Sequence, residues 1–557
     1  MHPFSIMENK SAHFDYVIIG GGSAGCVLAS RLSECEAHSV LLLEAGPAGS
    51  HPLLSIPAAY YKILGSKRYD WKFVTSPNPS TANRSLPLPR GKVLGGSSAI
   101  NGMVYIRGQR DDFDEWKNHG DDGWGFEEIL PYFRKSEDQE RGESHYHGVG
   151  GPLGVSDIHL KNELFDEICN AANALGIPFN EDFNGSRQEG IGYYQLTARR
   201  GRRCSVNAAF LQPVLHRSNL ATSTGVFVLR VLIAKGRAMG VEVLTPKGNT
   251  VIHSDREIIL AAGAIGSPLI LQRSGVGAEK VLRSCGILPI EILPVGENLQ
   301  DHYQARIVYR CSKKCSVNTL SRSYAWWARG AVEYLGGRGA FTLAAAQLGA
   351  FLRTPGELKR PDVQLHFIPF SADAPGAPLH KEARFTVSIC QLRPLSYGHV
   401  RLRSLDPSVA PDIQPNYLAN EADARVLMRG IHLARRLLTH SQLAGHIPEE
   451  VTPSSDMQSD EQLSRYIRST GGTIFHQCGT CKMGADETAV VSPDLCVRGI
   501  SGLRVADASI MPSVISGNTN AAVIMIAEKA ASLIRGECRD LQAGANTPPK
   551  HIVMLPC

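Results

Sequence analysis

The sequence predicts an α/β fold organised around a Rossmann-type nucleotide-binding unit, and three stretches carry that prediction. They are "FDYVIIGGGSAGCVLASRLSECEAHSVLLLEAG" near the N-terminus, "EIILAAGAIGSPLILQRSGVG" in the middle and "GLRVADASIMPSVISGNTNAAVIMIAEKAASLI" near the C-terminus. Each runs a short apolar, strand-like segment into a turn of small residues and then into an apolar helix. A chain of 557 residues is long enough for two to four domains, interleaved ones included.

The first stretch justifies itself element by element. Tyr16 to Ile19 form an apolar run, and Gly20, Gly22 and Gly25 follow in G-x-G-x-x-G spacing. A helical pattern continues through Leu32, and a second apolar run, Val40 to Leu43, ends at Glu44. Gly20 permits the tight turn, Gly22 lets the backbone approach a pyrophosphate, and Gly25 allows close helix–strand packing. The helix N-terminus offers free N–H groups to the anion. Glu44, about 20 residues on, is placed to accept hydrogen bonds from a ribose diol. A carboxylate there would repel the 2′-phosphate of NADP and leaves NAD and FAD open.

Downstream segments favour the flavin. In "RGKVLGGSSAINGMVYIRGQRDDFD" the small residues Gly95, Gly96, Ser97 and Ser98 precede Asn101 and Gly102. Such a run gives close backbone approach and a cluster of N–H and hydroxyl donors suited to an isoalloxazine edge or a diphosphate. "VGENLQDH" spans Val295 to His302, and the C-terminal stretch reads as a strand, a turn at Asp507, a loop holding Asn518 and Asn520, and a helix. Between them, "DVQLHFIPF" and "TVSICQLRP" read as strands, "GHVRLRS" alternates apolar and polar, and "ADARVLMRGIHLARRLL" has helical periodicity.

Composition bounds the function classes. Hydrophobic residues make up 43% and charged residues 20%, values of a globular protein with a large core. A net charge of +5 without a dense basic block excludes a nucleic-acid partner. No segment holds eighteen uninterrupted apolar residues, and the N-terminus lacks a signal-peptide h-region. The 13 cysteines are scattered without a frame, which points to reduced thiols and a cytoplasmic location. Peripheral membrane contact is compatible with this composition, and the oligomeric state is left unassigned.

Taken together, these motifs resemble the glucose–methanol–choline (GMC) flavoprotein oxidoreductases, nearest to the choline dehydrogenase and bacterial FAD-dependent alcohol dehydrogenase branch. The resemblance runs from about residue 13 to 536. It implies a doubly wound FAD-binding domain over 13–155, 220–310 and 470–538. An α+β substrate-binding domain on an antiparallel sheet would use 156–219 and 311–469, and 539–557 would form a tail. Gly20, Gly22, Ser23, Ala24 and Gly25 would face the diphosphate, Glu44 the adenosine ribose and the Val228 backbone the adenine. Val93, Gly95, Ser98, Asn101, Gly102 and Val104 would line the flavin side. Asp507 and Ala508 would meet the diphosphate and ribityl chain, with Asn518 and Thr519 beside the ring. Where some members carry a tethering histidine, this chain has Ala99, Ile100 and Asn101, so the FAD is expected to be non-covalent.

The stretch "TIFHQCGTCKMGA" holds two candidate chemistries. In the family the histidine opening an H-x-x-G-T-C-x-M-G motif is the general base, and His476 occupies that place. Its partner there is a histidine or asparagine before the final helix, matched by Asn518; Asn520 is read as a flavin or loop contact. Imidazole titrates near pH 6.5 and accepts a proton at neutral pH. Cys478 and Cys481 form a C-x-x-C pair, but zinc would need further ligands and no second pair exists, so no metal is expected. The resemblance makes Cys481 an ordinary occupant of the terminal motif, and the pair is read as packing.

The implied reaction is oxidation of a neutral, primary alcohol to the aldehyde, with electrons passing to a quinone or artificial acceptor. The alternatives on this scaffold are an alcohol oxidase using dioxygen and an FAD-containing hydroxynitrile lyase. Candidate pocket residues are Tyr60, Tyr61, Tyr324, Trp326, Phe341, Phe367 and Phe370. By resemblance, "FTLAAAQLGAF" passes near the substrate and offers Gln347 but no carboxylate for a quaternary amine.

Overall fold

A computed structural model describes residues 12–536 apart from positions 119, 375, 444 and 448, and the expected tail, 539–557, lies outside the described residues. Strands Ala12–Ile19 and Val40–Glu44 pair in parallel because the helix Ser23–Leu32 crosses over between them. Leu220–Thr224 adds beyond Val40–Glu44, and Gly248–Leu260 lies on the other side of Ala12–Ile19. Leu503–Val505 then pairs with the last residues of Gly248–Leu260. All four of these pairings are parallel, so strands from three distant parts of the chain build one doubly wound sheet. Phe227–Ala234 and Arg237–Thr245 extend it as an antiparallel meander.

The parallel strands are apolar on both faces because helices cover both. Val17, Ile18, Leu41, Leu42, Ile258 and Ile259 are all buried. The final helix, Asn520–Arg535, packs on Ser23–Leu32 and carries the buried Glu528, paired with Arg31 at 2.7 Å.

A second sheet is antiparallel throughout, in the order Glu449–Thr452, Tyr303–Arg310, Arg384–Gln391, Val363–Ile368, Leu348–Leu352 and Gly190–Tyr193. Its period-2 alternation separates two faces. Tyr303, Ala305, Ile307, Val387, Ile389 and Phe367 pack under the helices Glu163–Ala174, Glu421–Leu438 and Asp460–Thr470. The alternate residues, Gln304, Arg306, His366, Thr386 and Ser388, face the other way, into a cavity.

Two segments fall on the other side of the expected divisions. Tyr303–Arg310, expected with the nucleotide-binding strands, pairs in the antiparallel sheet. Asn207–Leu211, expected with the substrate part, sends Phe210 and Leu211 into the core of the parallel sheet. Neither has a sequence signal, because membership is decided by which sheet supplies the hydrogen bonds.

The nucleotide turn is tightly packed. A Cβ on Gly25 would stand 1.9 Å from the Gly20 carbonyl oxygen, and Gly20 itself has a φ of +102°. Gly25→Ala should therefore lower stability by roughly 1–3 kcal/mol, the usual scale of overpacking. Urea unfolding checks this, and an unchanged midpoint would contradict the close approach.

Candidate active site

A cavity of about 620 Å³ lies between the two sheets. Its floor is made by the carboxyl ends of the parallel strands, through Ile19, Glu44, Ala261 and Asp507, the place where open α/β sheets bind ligands. Its roof is the polar face of the antiparallel sheet.

Most of the expected cofactor residues meet there. Gly20, Gly22, Ser23 and Ala24 line the cavity where the helix Ser23–Leu32 begins, and no side chain caps that helix end. At Gly22 an added Cβ would find no atom nearer than 3.9 Å, so the backbone is open to the cavity. Glu44, Val228, Asn101, Gly102 and Val104 line it as well, as do Ala508, Asn518 and Thr519. Asn520 also lines it and accepts a hydrogen bond from Ser23 Oγ at 2.8 Å, joining the starts of the first and last helices.

Four expected residues do not line the cavity. Gly25 is the helix–strand contact already described. Val93 packs in a small apolar cluster, and Gly95 donates its N–H to the Gly21 carbonyl at 2.7 Å. Ser98 donates to the Gly95 carbonyl at 2.6 Å and accepts from the Val206 N–H at 3.0 Å. These residues brace the cavity wall from behind.

The two cavity carboxylates are already held by the protein. Glu44 accepts from the Gly21 N–H at 2.9 Å and the Gly46 N–H at 2.7 Å, and burial pushes its pKa up to about 7 against those bonds. Asp507 accepts from Ser267 Oγ at 2.6 Å, Ser509 Oγ at 2.6 Å and the N–H groups of Gly263 and Ser509 at 2.8 Å. An uncapped helix start, an open glycine and a buried acceptor at a strand end suit the diphosphate and ribose of an FAD.

On the roof side, His476 and Asn518 come together, with Asn518 Nδ2 3.2 Å from His476 Nε2. The tautomers follow from one fixed acceptor. His302 Nε2 lies 3.0 Å from the Leu392 carbonyl oxygen, which can only accept, so Nε2 carries the hydrogen. Burial holds the His302 pKa down to about 4, leaving the ring neutral and its Nδ1 bare. His476 Nδ1, 2.9 Å away, must donate to it. Burial first, then the neighbouring His302, His366 and Arg90, hold the His476 pKa well below the ordinary imidazole value. A neutral ring protonated at Nδ1 keeps its lone pair at Nε2, beside the Asn518 amide. The Asn518 orientation agrees, since its Oδ1 accepts from Gln364 Nε2 at 3.3 Å.

The loop that presents His476 hangs on the buried Asp301. That carboxylate accepts from the His476 N–H at 2.8 Å, Gln477 Nε2 at 2.6 Å, Thr473 Oγ1 at 2.5 Å and the Tyr417 hydroxyl. Cys478 and Cys481 are fully buried free thiols whose pKa values burial pushes well up, the opposite of the depressed pKa that marks a reactive thiol. Among the described residues no cluster could hold a metal ion.

Of the pocket aromatics, Tyr60, Tyr61 and Phe370 line the cavity. Phe367 lies in the core under the helices, and Tyr324 is 93% exposed on the helix Tyr324–Leu335. Trp326, Phe341 and Gln347 are not part of the lining; Gln347 is buried, with its Nε2 donating to the Leu160 carbonyl at 3.0 Å. Two residues were missed. His302 ends "VGENLQDH", and Arg306 stands in the strand "YQARIVYR", where its one signal is that it shares a side of the alternation with Gln304 and Arg310.

Among the described residues no helix is long and apolar enough to cross a membrane. The GMC oxidoreductase family matches over residues 14–304 and again, for its C-terminal part, over residues 394–527. An "Alcohol dehydrogenase [acceptor]" of Pseudomonas putida is 40% identical over 94% of this chain and 95% of its own. A mitochondrial choline dehydrogenase of Mus musculus is 40% identical over 94% and 89%. The crystal structure of pyridoxine 4-oxidase from Mesorbium loti superposes with a TM-score of 0.85 at 32% identity, covering 94% of this chain and 99% of that one. With the glycine turn, the Glu44 strand end and the paired His476 and Asn518 at one cavity, the chain belongs to the GMC oxidoreductase family, FAD-dependent oxidoreductases acting on CH–OH donors.

Proposed function

We propose that the enzyme oxidises a primary alcohol to the aldehyde, with His476 as general base and Asn518 orienting the alcohol oxygen. Electrons then pass to a quinone or artificial acceptor; the name of the Pseudomonas putida relative, which specifies an acceptor, supports that route. In this reading the parallel sheet serves the cofactor and the antiparallel sheet the substrate. The described cysteines are all free thiols, which supports a reducing, cytoplasmic location.

The observation that carries the reading is the bare Nε2 of His476 on the cavity wall, with an amide N–H beside it. FAD, when bound, supplies the hydride acceptor. The chain's own residues handle the proton. His476 takes it from the alcohol at Nε2, because an alkoxide expels hydride far more readily than a neutral alcohol. His302 keeps accepting from Nδ1–H and so steadies the imidazolium that forms. Asn518 Nδ2 donates to the oxygen as negative charge develops, its own angle set by Gln364.

His476→Ala should retain FAD, since the cofactor residues stand on other elements, yet reduce it roughly 10² to 10⁴ times more slowly under anaerobic alcohol. Asn518→Ala should lose less, because the proton acceptor remains. In the wild type the reduction rate should stay flat through neutral pH and fall only as acid approaches the depressed His476 pKa. A folded His476→Ala enzyme reducing near the wild-type rate would falsify the assignment.

Ile100, in the segment that offers no tethering histidine, is buried between Ala99 and Asn101. Acid precipitation should therefore leave all the flavin in the supernatant as FAD. Colour remaining in the washed pellet would mean a covalent link elsewhere.

Replacing Cys478 and Cys481 together by Ala should leave turnover within several-fold of wild type. Collapse of activity with normal FAD content would restore a dithiol role.

A further inference from the structure

The cavity roof carries a cation to which no described residue gives a counter-charge. Arg306 lines the cavity and is partly accessible there. In register it stands opposite Ser388, which stands opposite His366, so the three form a row across neighbouring strands. Among the described residues its guanidinium has no hydrogen bond, ion pair or ring contact. Burial draws its pKa below the ordinary value, with only the phenols of Tyr60 and Tyr466 offsetting that.

The polar groups around it are already committed. Ser388 Oγ donates to Gln304 Oε1, and Gln304 Nε2 donates to the Thr473 carbonyl at 3.0 Å. Thr386 Oγ1 donates to the Phe370 carbonyl at 2.8 Å. The other arginines near the cavity differ. Arg90 and Arg203 donate to backbone carbonyls, and Arg273 lies over the Phe227 ring. The cavity's carboxylates, Glu44 and Asp507, belong to the strand ends of the parallel sheet and are held by their own neighbours.

A desolvated guanidinium without a partner is unfavourable, and a bidentate anion relieves that most completely. We propose that Arg306 binds a carboxylate carried by the alcohol substrate. This rests on the proposed alcohol oxidation and revises one part of the sequence expectation. The lack of a carboxylate in "FTLAAAQLGAF" argued against a cationic substrate, but it did not choose between a neutral and an anionic one; Arg306 chooses the anion. Arg306 stands four residue steps beyond His302, about 13 Å along the extended backbone. The carboxylate therefore stands several bonds from the carbinol.

The test uses purified holoenzyme and two alcohols of one skeleton, 4-(hydroxymethyl)benzoate and 4-(hydroxymethyl)benzamide, mixed anaerobically with the flavin. The wild type should prefer the benzoate by roughly 10- to 100-fold in reduction rate over apparent Kd, the scale of a charge-assisted hydrogen bond. Arg306→Met should erase that preference, and Arg306→Lys should keep part of it, with FAD content unchanged in both. A second arm titrates plain benzoate, which has no hydroxyl, by calorimetry. It should bind the wild type and bind Arg306→Met weaker by a similar factor. Equal or better reaction of the amide in the wild type would overturn the proposal. So would a carboxylate preference that survives Arg306→Met, or loss of FAD from that variant, which would turn Arg306 toward the cofactor. If neither alcohol reduces the flavin, alcohol oxidation fails for this class, and the benzoate titration alone decides whether Arg306 is an anion site.

Discussion

The hydrogen bond from His302 to the Leu392 carbonyl sets the direction of every proton-bearing contact that follows from it. A carbonyl oxygen cannot donate, so one ring nitrogen of His302 is settled, and burial settles the other by keeping the ring neutral. His476 must then donate at Nδ1 and keep Nε2 bare. In the proposed mechanism the arrangement has the logic of a catalytic triad with a neutral imidazole in the place of the carboxylate. A neutral acceptor holds the tautomer without raising the His476 pKa as a charged one would. That agrees with the low His476 pKa. The His476 lone pair is weakly basic and free of a proton at neutral pH.

The fold supplies this geometry by bringing two sheets edge to cavity. Asp301, immediately before His302, binds the backbone of His476 and the side chains of Gln477, Thr473 and Tyr417. One buried carboxylate thus fixes the loop carrying His476 relative to His302 and the strand Tyr303–Arg310 that follows it. Gly472–Thr473 pairs with the start of that strand and reinforces the same junction. On the floor, the glycine turn and Glu44 hold their places through contacts within the chain itself.

What was legible in the sequence was local. The nucleotide unit, Glu44 and the strand–turn–helix near the C-terminus are each written in consecutive residues, and their spacing is the physical requirement itself. His476 and Asn518 were legible only through resemblance. His302 was not, because its partner lies 174 positions away and no pattern in "NLQDH" names it. Pocket residues failed for a related reason. In strands of period 2, Phe367 and His366 differ only in which face they meet, and the face is decided by packing of helices elsewhere. Arg306 shows the converse: its neighbours in the strand are apolar, and only the finished sheet reveals that it faces the cavity.

The tautomer of His476 is measurable directly. In holoenzyme labelled with ¹⁵N at histidine, with His476→Gln for assignment, the account predicts a protonated, pyrrole-type Nδ1 and a bare, pyridine-type Nε2 at neutral pH. The pattern should persist on mild acidification, since the pKa lies well below the ordinary value. A hydrogen on Nε2 at neutral pH, alone or together with Nδ1, would contradict it.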